Sequence, residues 1–123
     1  MTIAATLMLA GRIVFGLFFT IAAFRNTLNF KARIPSRTNY GWDMPPALVA
    51  AGFAMQWIGG LSLLLGFYPV YGALALIVFL ILATAGYHNL FLFTGKERDQ
   101  HLYLVLVNIT LAGGLLLVIA DSL

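Results

Sequence analysis

Five polar side chains stand out in an otherwise apolar sequence as groups whose types and spacing could do chemistry: Arg12, Gln56, His88, His101 and Asn108. A guanidinium carries five donors in a fixed fork, which suits an anionic or carbonyl-bearing ligand or the carboxylate of a partner. Gln56 could accept a hydrogen bond from Arg12 through its carbonyl oxygen. His101, Asn108 and Ala112, separated by seven and four residues, share one helical face. His88 falls at the same end of its segment as His101. Each imidazole reads as a hydrogen-bonded interhelical or interfacial histidine, or as a polar contact with a ligand head. A metal centre asks for three or four ligands, and Glu97 and Asp99 read as loop residues of unknown aim. Haem would need both rings directed at one iron, across a gap that two helices packed about 8–10 Å apart do not leave. No metal site and no catalytic residue is assigned.

The elements that must position these groups follow from composition. Of 123 residues, 62% are hydrophobic and 9% charged, so the medium around this chain is lipid. A hydrocarbon core of about 30 Å takes roughly 20 apolar residues of helix. The chain holds four such segments, at about 3–24, 47–66, 70–93 and 102–120, and a connector over 25–46. The expected fold is all-α, a single domain over residues 1–123 forming an up-and-down bundle of four membrane-spanning helices. Barrel strands would alternate apolar and polar residues, and Leu74 to Ala83 does not alternate. No basic region precedes the first apolar run, so it reads as a retained helix.

An ionisable residue at mid-bilayer costs at least about 2.5–3.5 kcal/mol on insertion scales, so Arg12 calls for a reason. It either snorkels to phosphate and bonds neighbouring carbonyls, or holds a ligand or partner. No Asp or Glu falls within the four segments, so it has no internal counter-ion, and a proton pump built on a buried carboxylate is disfavoured. The absence of cysteine removes disulfides, thiolate metal sites and cysteine nucleophiles. Gly52, Gly59 and Gly66 repeat every seven residues, and Gly86 and Gly113 lie among small residues of the third and fourth segments. Such residues let helices approach closely where lipid removes the hydrophobic drive between them. One small-residue ridge could instead face a partner subunit.

Arg25, Lys31, Arg33 and Arg37 follow the first segment, and Lys96 and Arg98 join the third to the fourth, all on one side. The positive-inside rule sets that side in the cytoplasm and both termini opposite, as expected for a bacterial inner membrane. The net charge of +3 reports this topology, not a nucleic-acid surface. Within the connector, Lys31, Arg33, Arg37 and Trp42 suit the lipid headgroup layer. The connector is an anchored link or a lid over a site at that end.

The order of GRIVFGLFF, LNF, WIGGLSLLLGF, YHNLF and VNITLAGGLLL resembles the DoxX family of small four-helix membrane proteins from Gly11 to about Leu117. Arg12, Gly59, Gly60, Gly66, His88, Asn108, Gly113 and Gly114 stand at matching positions. Gln56 stands where many members carry an acid, Val107 where a lysine is common, and Arg25-Asn26 replaces the lysine after the first helix. The resemblance implies association with membrane redox systems, since related proteins include a subunit of a thiosulfate:quinone oxidoreductase and partners of soluble redox enzymes. Three roles follow: a non-catalytic accessory or anchoring subunit of a larger membrane redox complex with other membrane or peripheral subunits; a quinone-interacting oxidoreductase subunit; or a carrier of a lipid-like small molecule. No intrinsic cofactor is expected, and a quinone would be the ligand of the second role. The topology has a direct test in this cysteine-free chain: cysteines introduced at Ser36 and Ser122 should label from opposite faces, and labelling from one face refutes four crossings.

Overall fold

The computed structural model describes all 123 residues, with helices α1 (Ile3–Leu28), α2 (Pro46–Leu65), α3 (Pro69–Tyr87) and α4 (Gly95–Ser122). Short 3-10 turns occupy Lys31–Arg33 and Leu90–Leu92. A two-stranded antiparallel hairpin pairs β1 (Ser36–Arg37) with β2 (Asp43–Met44). All four helices are long and apolar enough to cross a membrane, and the fold is an all-α membrane bundle. Only 15 residues are buried, and the outward faces are Leu, Ile, Val and Phe, as lipid requires.

Local chemistry fixes each end. The Thr2 hydroxyl caps α1 by accepting from Ala5 N at 3.0 Å. Pro45 and Pro46 open α2, where a missing N–H costs nothing. Gly66 closes α2 in the left-handed region at φ 71°, and its N–H donates to Ser62 O. The Ser62 hydroxyl holds the following turn at Phe67 O (2.6 Å) and Tyr68 O (3.0 Å) before Pro69 starts α3.

Four boundaries differ from the sequence expectation. Helix α1 runs one turn past Phe24 to Leu28, because no breaker intervenes and Thr27 bonds back to Ala23 O at 2.8 Å. Helix α3 stops at Tyr87 instead of Phe93, because the connector takes over its last carbonyls: Asn39 N donates to Gly86 O (2.9 Å) and Tyr40 OH to Ala85 O (3.0 Å). Helix α4 starts at Gly95, not Leu102, so Lys96, Glu97, Arg98 and Asp99 lie on its first turns and not in a loop. At its other end α4 also takes in Asp121, beyond the apolar stretch.

The core joins Phe19 of α1, Leu63 of α2, Ala73, Leu76 and Leu80 of α3, and Leu115 and Val118 of α4. Helices pack in chain order, and α1 meets α4 over a short stretch where the Phe15 ring covers Gly114. Gly59 lies against Leu76 and Gly72 O of α3, while Gly60 lies against Thr20 and Phe19 of α1, and Gly16 against Leu64. Gly52 makes ordinary contact with Phe79. Gly86 and Gly113 have no neighbour within 4 Å of a built Cβ, so neither serves packing inside this bundle; Gly72 and Gly114 do so in their helices. Gly66 is a helix cap, not part of a packing ridge.

Gly60→Ala would set a Cβ 2.7 Å from Thr20 N, so α1 and α2 must part, with an expected loss of about 1–3 kcal/mol. Gly86→Ala meets open space and should leave stability unchanged or raise it. Thermal unfolding of the two variants in detergent checks the contrast.

Candidate functional site

Antiparallel packing separates the polar residues into three places. Because Gly16 stands against Leu64 and Gly60 against Thr20, the register sets Gln56 opposite the Asn26 turn and Arg12 opposite Gly66. Arg12 and Asn26 are about 21 Å apart along α1, at 1.5 Å per residue. The expected bond between Gln56 and Arg12 therefore does not form.

Gln56, only 6% exposed, accepts instead from Asn26 Nδ2 at 2.9 Å. Asn26 Oδ1 accepts from Arg33 Nε at 3.1 Å, which ties the connector to both helices. At the next residue of each helix, Trp57 Nε1 donates to Thr27 Oγ1 at 2.9 Å. A sequence that lacks an acid at position 56 thus uses a neutral amide ladder to pair α1 with α2. Lys31 and Trp42 are exposed, as a headgroup role requires, and Arg37 pairs with Asp43 at 2.8 Å across the hairpin.

The second place is the seam between α3 and α4. Asn108 Nδ2 donates to Thr84 Oγ1 at 3.0 Å. Toward the connector, His88 Nδ1 and His101 Nδ1 lie 2.8 Å apart, so one ring donates and the other accepts. Phe93 stacks on His101 with centroids 3.9 Å apart and planes at 13°. His88 is the residue that closes α3, not a residue within it. The two Nδ1 atoms engage each other, and no group of three His, Cys, Asp or Glu side chains forms around them.

The connector fixes this seam through residues that the sequence did not single out. The Asn39 amide fits its surroundings when Nδ2 donates to Tyr87 O (2.9 Å) and Oδ1 accepts from His88 N (2.9 Å) and Asn89 N (2.8 Å). Ser36 Oγ meets Tyr87 OH at 2.6 Å, and Asn89 Nδ2 donates to Tyr40 OH at 3.2 Å. The one available signal was the Asn-Tyr-Gly turn at 39–41, a local motif whose target only the fold reveals. The connector is thus a cap on α3.

Arg12 is the third place, at the end that holds both termini and the α2–α3 turn. Its Nε is shielded and has no partner. The guanidinium rests on Gly66, where a Cβ would lie 2.6 Å from Nη1. The carboxyl end of α2 carries negative partial charge and favours a cation there. Arg12 is therefore level with the last residue of α2, not midway along the bundle.

Fold and polar layout define the class: a small four-helix membrane protein with amide and imidazole pairs between helices. The DoxX family profile matches residues 7–89, two thirds of the chain, and the chain belongs to that family. The match covers Arg12, Gln56 and His88, while His101, Asn108 and Gly113 lie beyond it. No curated protein and no solved structure matches this chain.

The imidazole pair has a thermodynamic test. A double-mutant cycle with His88→Ala and His101→Ala should give a coupling of about 0.5–1.5 kcal/mol in detergent unfolding. Additive losses would mean that the two rings do not bond.

Proposed function

We propose that this protein is a non-catalytic membrane subunit that anchors and stabilises a larger redox assembly. The observation that carries this reading is the state of α4, in which only Leu115 and Val118 of 28 residues are buried. Gly113 sits on its exposed side with open space around it, beside Ile109, Leu116 and Leu117. A glycine at such a place lets another helix approach closely. The amide, hydroxyl and imidazole groups support the same reading, because they bond helices of this chain to one another. The redox half rests on the DoxX resemblance. In this reading the chain lies in a bacterial cytoplasmic membrane with its basic connector on the cytoplasmic side.

A second reading, a quinone-interacting subunit, draws on the α3–α4 seam. With Nδ1 of each histidine turned to the other, the ring that accepts at Nδ1 keeps its Nε2–H to donate to a quinone carbonyl, with Asn108 about 10 Å further along α4. Electrons would then come from a partner.

Purification from the native membrane in mild detergent should yield a stable assembly. Gly113→Leu should release the chain from it while leaving the isolated bundle folded. A lone wild-type chain with a bound small molecule would sink the subunit reading. Intact assembly with quinone turnover abolished by Asn108→Leu would favour the second.

A further inference from the structure

At the end of the bundle that carries both termini, one cation has no partner in the chain. Arg12 Nε is shielded from solvent and bonds to nothing. Asp121, the one acidic side chain at this end, makes no ion pair with it, since the single salt bridge of the chain is Arg37–Asp43. The carboxyl end of α2 holds the guanidinium by its dipole, which attracts the charge but does not satisfy the N–H donors. Guanidinium groups bond oxyanions strongly and often bidentately.

An apolar groove of about 290 Å³ begins at the same turn. Leu65 and Phe67, on either side of Gly66, line it together with Ile58, Leu61, Tyr68 and Tyr71. It follows the outer face of α2 and α3 for about 10 Å, the rise from Ile58 to Leu65. Phe67, Tyr68 and Tyr71 form an aromatic run with ring centroids 4.6 and 6.2 Å apart. Exposed tyrosines of this kind mark headgroup depth, so the guanidinium lies at the level of lipid phosphates. The guanidinium lies against Gly66, the residue between Leu65 and Phe67 of the groove wall, and the lack of a Cβ there both permits φ 71° and leaves room for it.

We propose that Arg12 and the groove beside Gly66 form a site for one phospholipid molecule. Its phosphate diester bonds the guanidinium, and one acyl chain lies between α2 and α3 along Leu61 and Leu65. Charge complementarity and the apolar walls together select an anionic amphiphile of the adjoining leaflet. The site is separate from the basic connector, which lies at the opposite end of the bundle.

Native mass spectrometry of the full-length protein tests this, with phosphatidylglycerol and a diacylglycerol of identical chains as probes. Phosphatidylglycerol should remain bound and the phosphate-free diacylglycerol should not. Arg12→Gln should weaken retention about tenfold or more, the usual worth of a charge-assisted bond, and Arg12→Lys should retain part of it. Leu61→Trp fills the groove without touching the charge and should also release lipid, so the proposal remains testable if Arg12→Gln fails to fold. Lys96→Gln with Arg98→Gln, on the exposed first turns of α4 at the other end, should change nothing. Equal retention of both probes, undiminished binding in Arg12→Gln or Leu61→Trp, or loss through the Lys96 and Arg98 changes would overturn it. A copurified polypeptide whose binding depends on Arg12 would replace the lipid with a partner carboxylate and also overturn it.

Discussion

Two adjacent glycines in α2 let a helix come close on each of two sides. Gly59 and Gly60 point about 100° apart around the helix axis, so the first receives α3 and the second receives α1. In lipid the surrounding chains are as apolar as the side chains, so helices associate through close van der Waals contact and interhelical hydrogen bonds. Contact at backbone distance gives the largest share of that attraction. Gly16 and Gly72 return the favour from the facing helices, and α2 becomes the axis around which α1 and α3 are set. Helix α4 lacks an equivalent pair of contacts, is covered on one side, and meets α1 over a short stretch that includes Phe15 over Gly114.

The register that these contacts impose decides where every polar group goes. Once Gly60 meets Thr20, Gln56 must face Asn26 and Arg12 must face Gly66, at opposite ends of the bundle. Each polar group then resolves a local deficit. Asn26 satisfies the Gln56 carbonyl, Arg33 satisfies the Asn26 carbonyl, and Ser62 satisfies the turn carbonyls after α2. Asn39 and Tyr40 satisfy the end of α3. This matches the demand of a medium in which an unmet backbone group costs several kcal/mol. Two groups are exceptions: the Thr20 hydroxyl, buried without a partner, and Arg12, held by a helix end yet without an acceptor for its shielded Nε.

Membership of the DoxX family and the four apolar helices agree on a protein that works within the bilayer. The bundle is built asymmetrically. Its connector end is closed by hydrogen bonds, while the opposite end presents a cation, an aromatic turn and a groove, and α4 offers an uncovered face. Attachment to something larger, lipid or protein, is what such a surface suits.

The four helices, their approximate spans and the membrane as solvent were legible in the sequence, because the need for roughly 20 apolar residues per crossing is a property of composition and length. Arg12, His88, His101 and Asn108 were equally visible, since a polar residue in an apolar run is conspicuous. What the sequence could not supply was pairing. The match of Gln56 with Asn26, the contact of His88 with His101 and the end of α3 at Tyr87 depend on which helix faces lie together and at what register. Gly86 and Gly113 have the same composition signal as Gly59, yet stand in open space, because a small residue permits close approach without specifying a partner. Sequence determined the medium and the elements through local chemistry; tertiary structure alone decided the contacts, because interhelical distance and rotation are set by all four helices together.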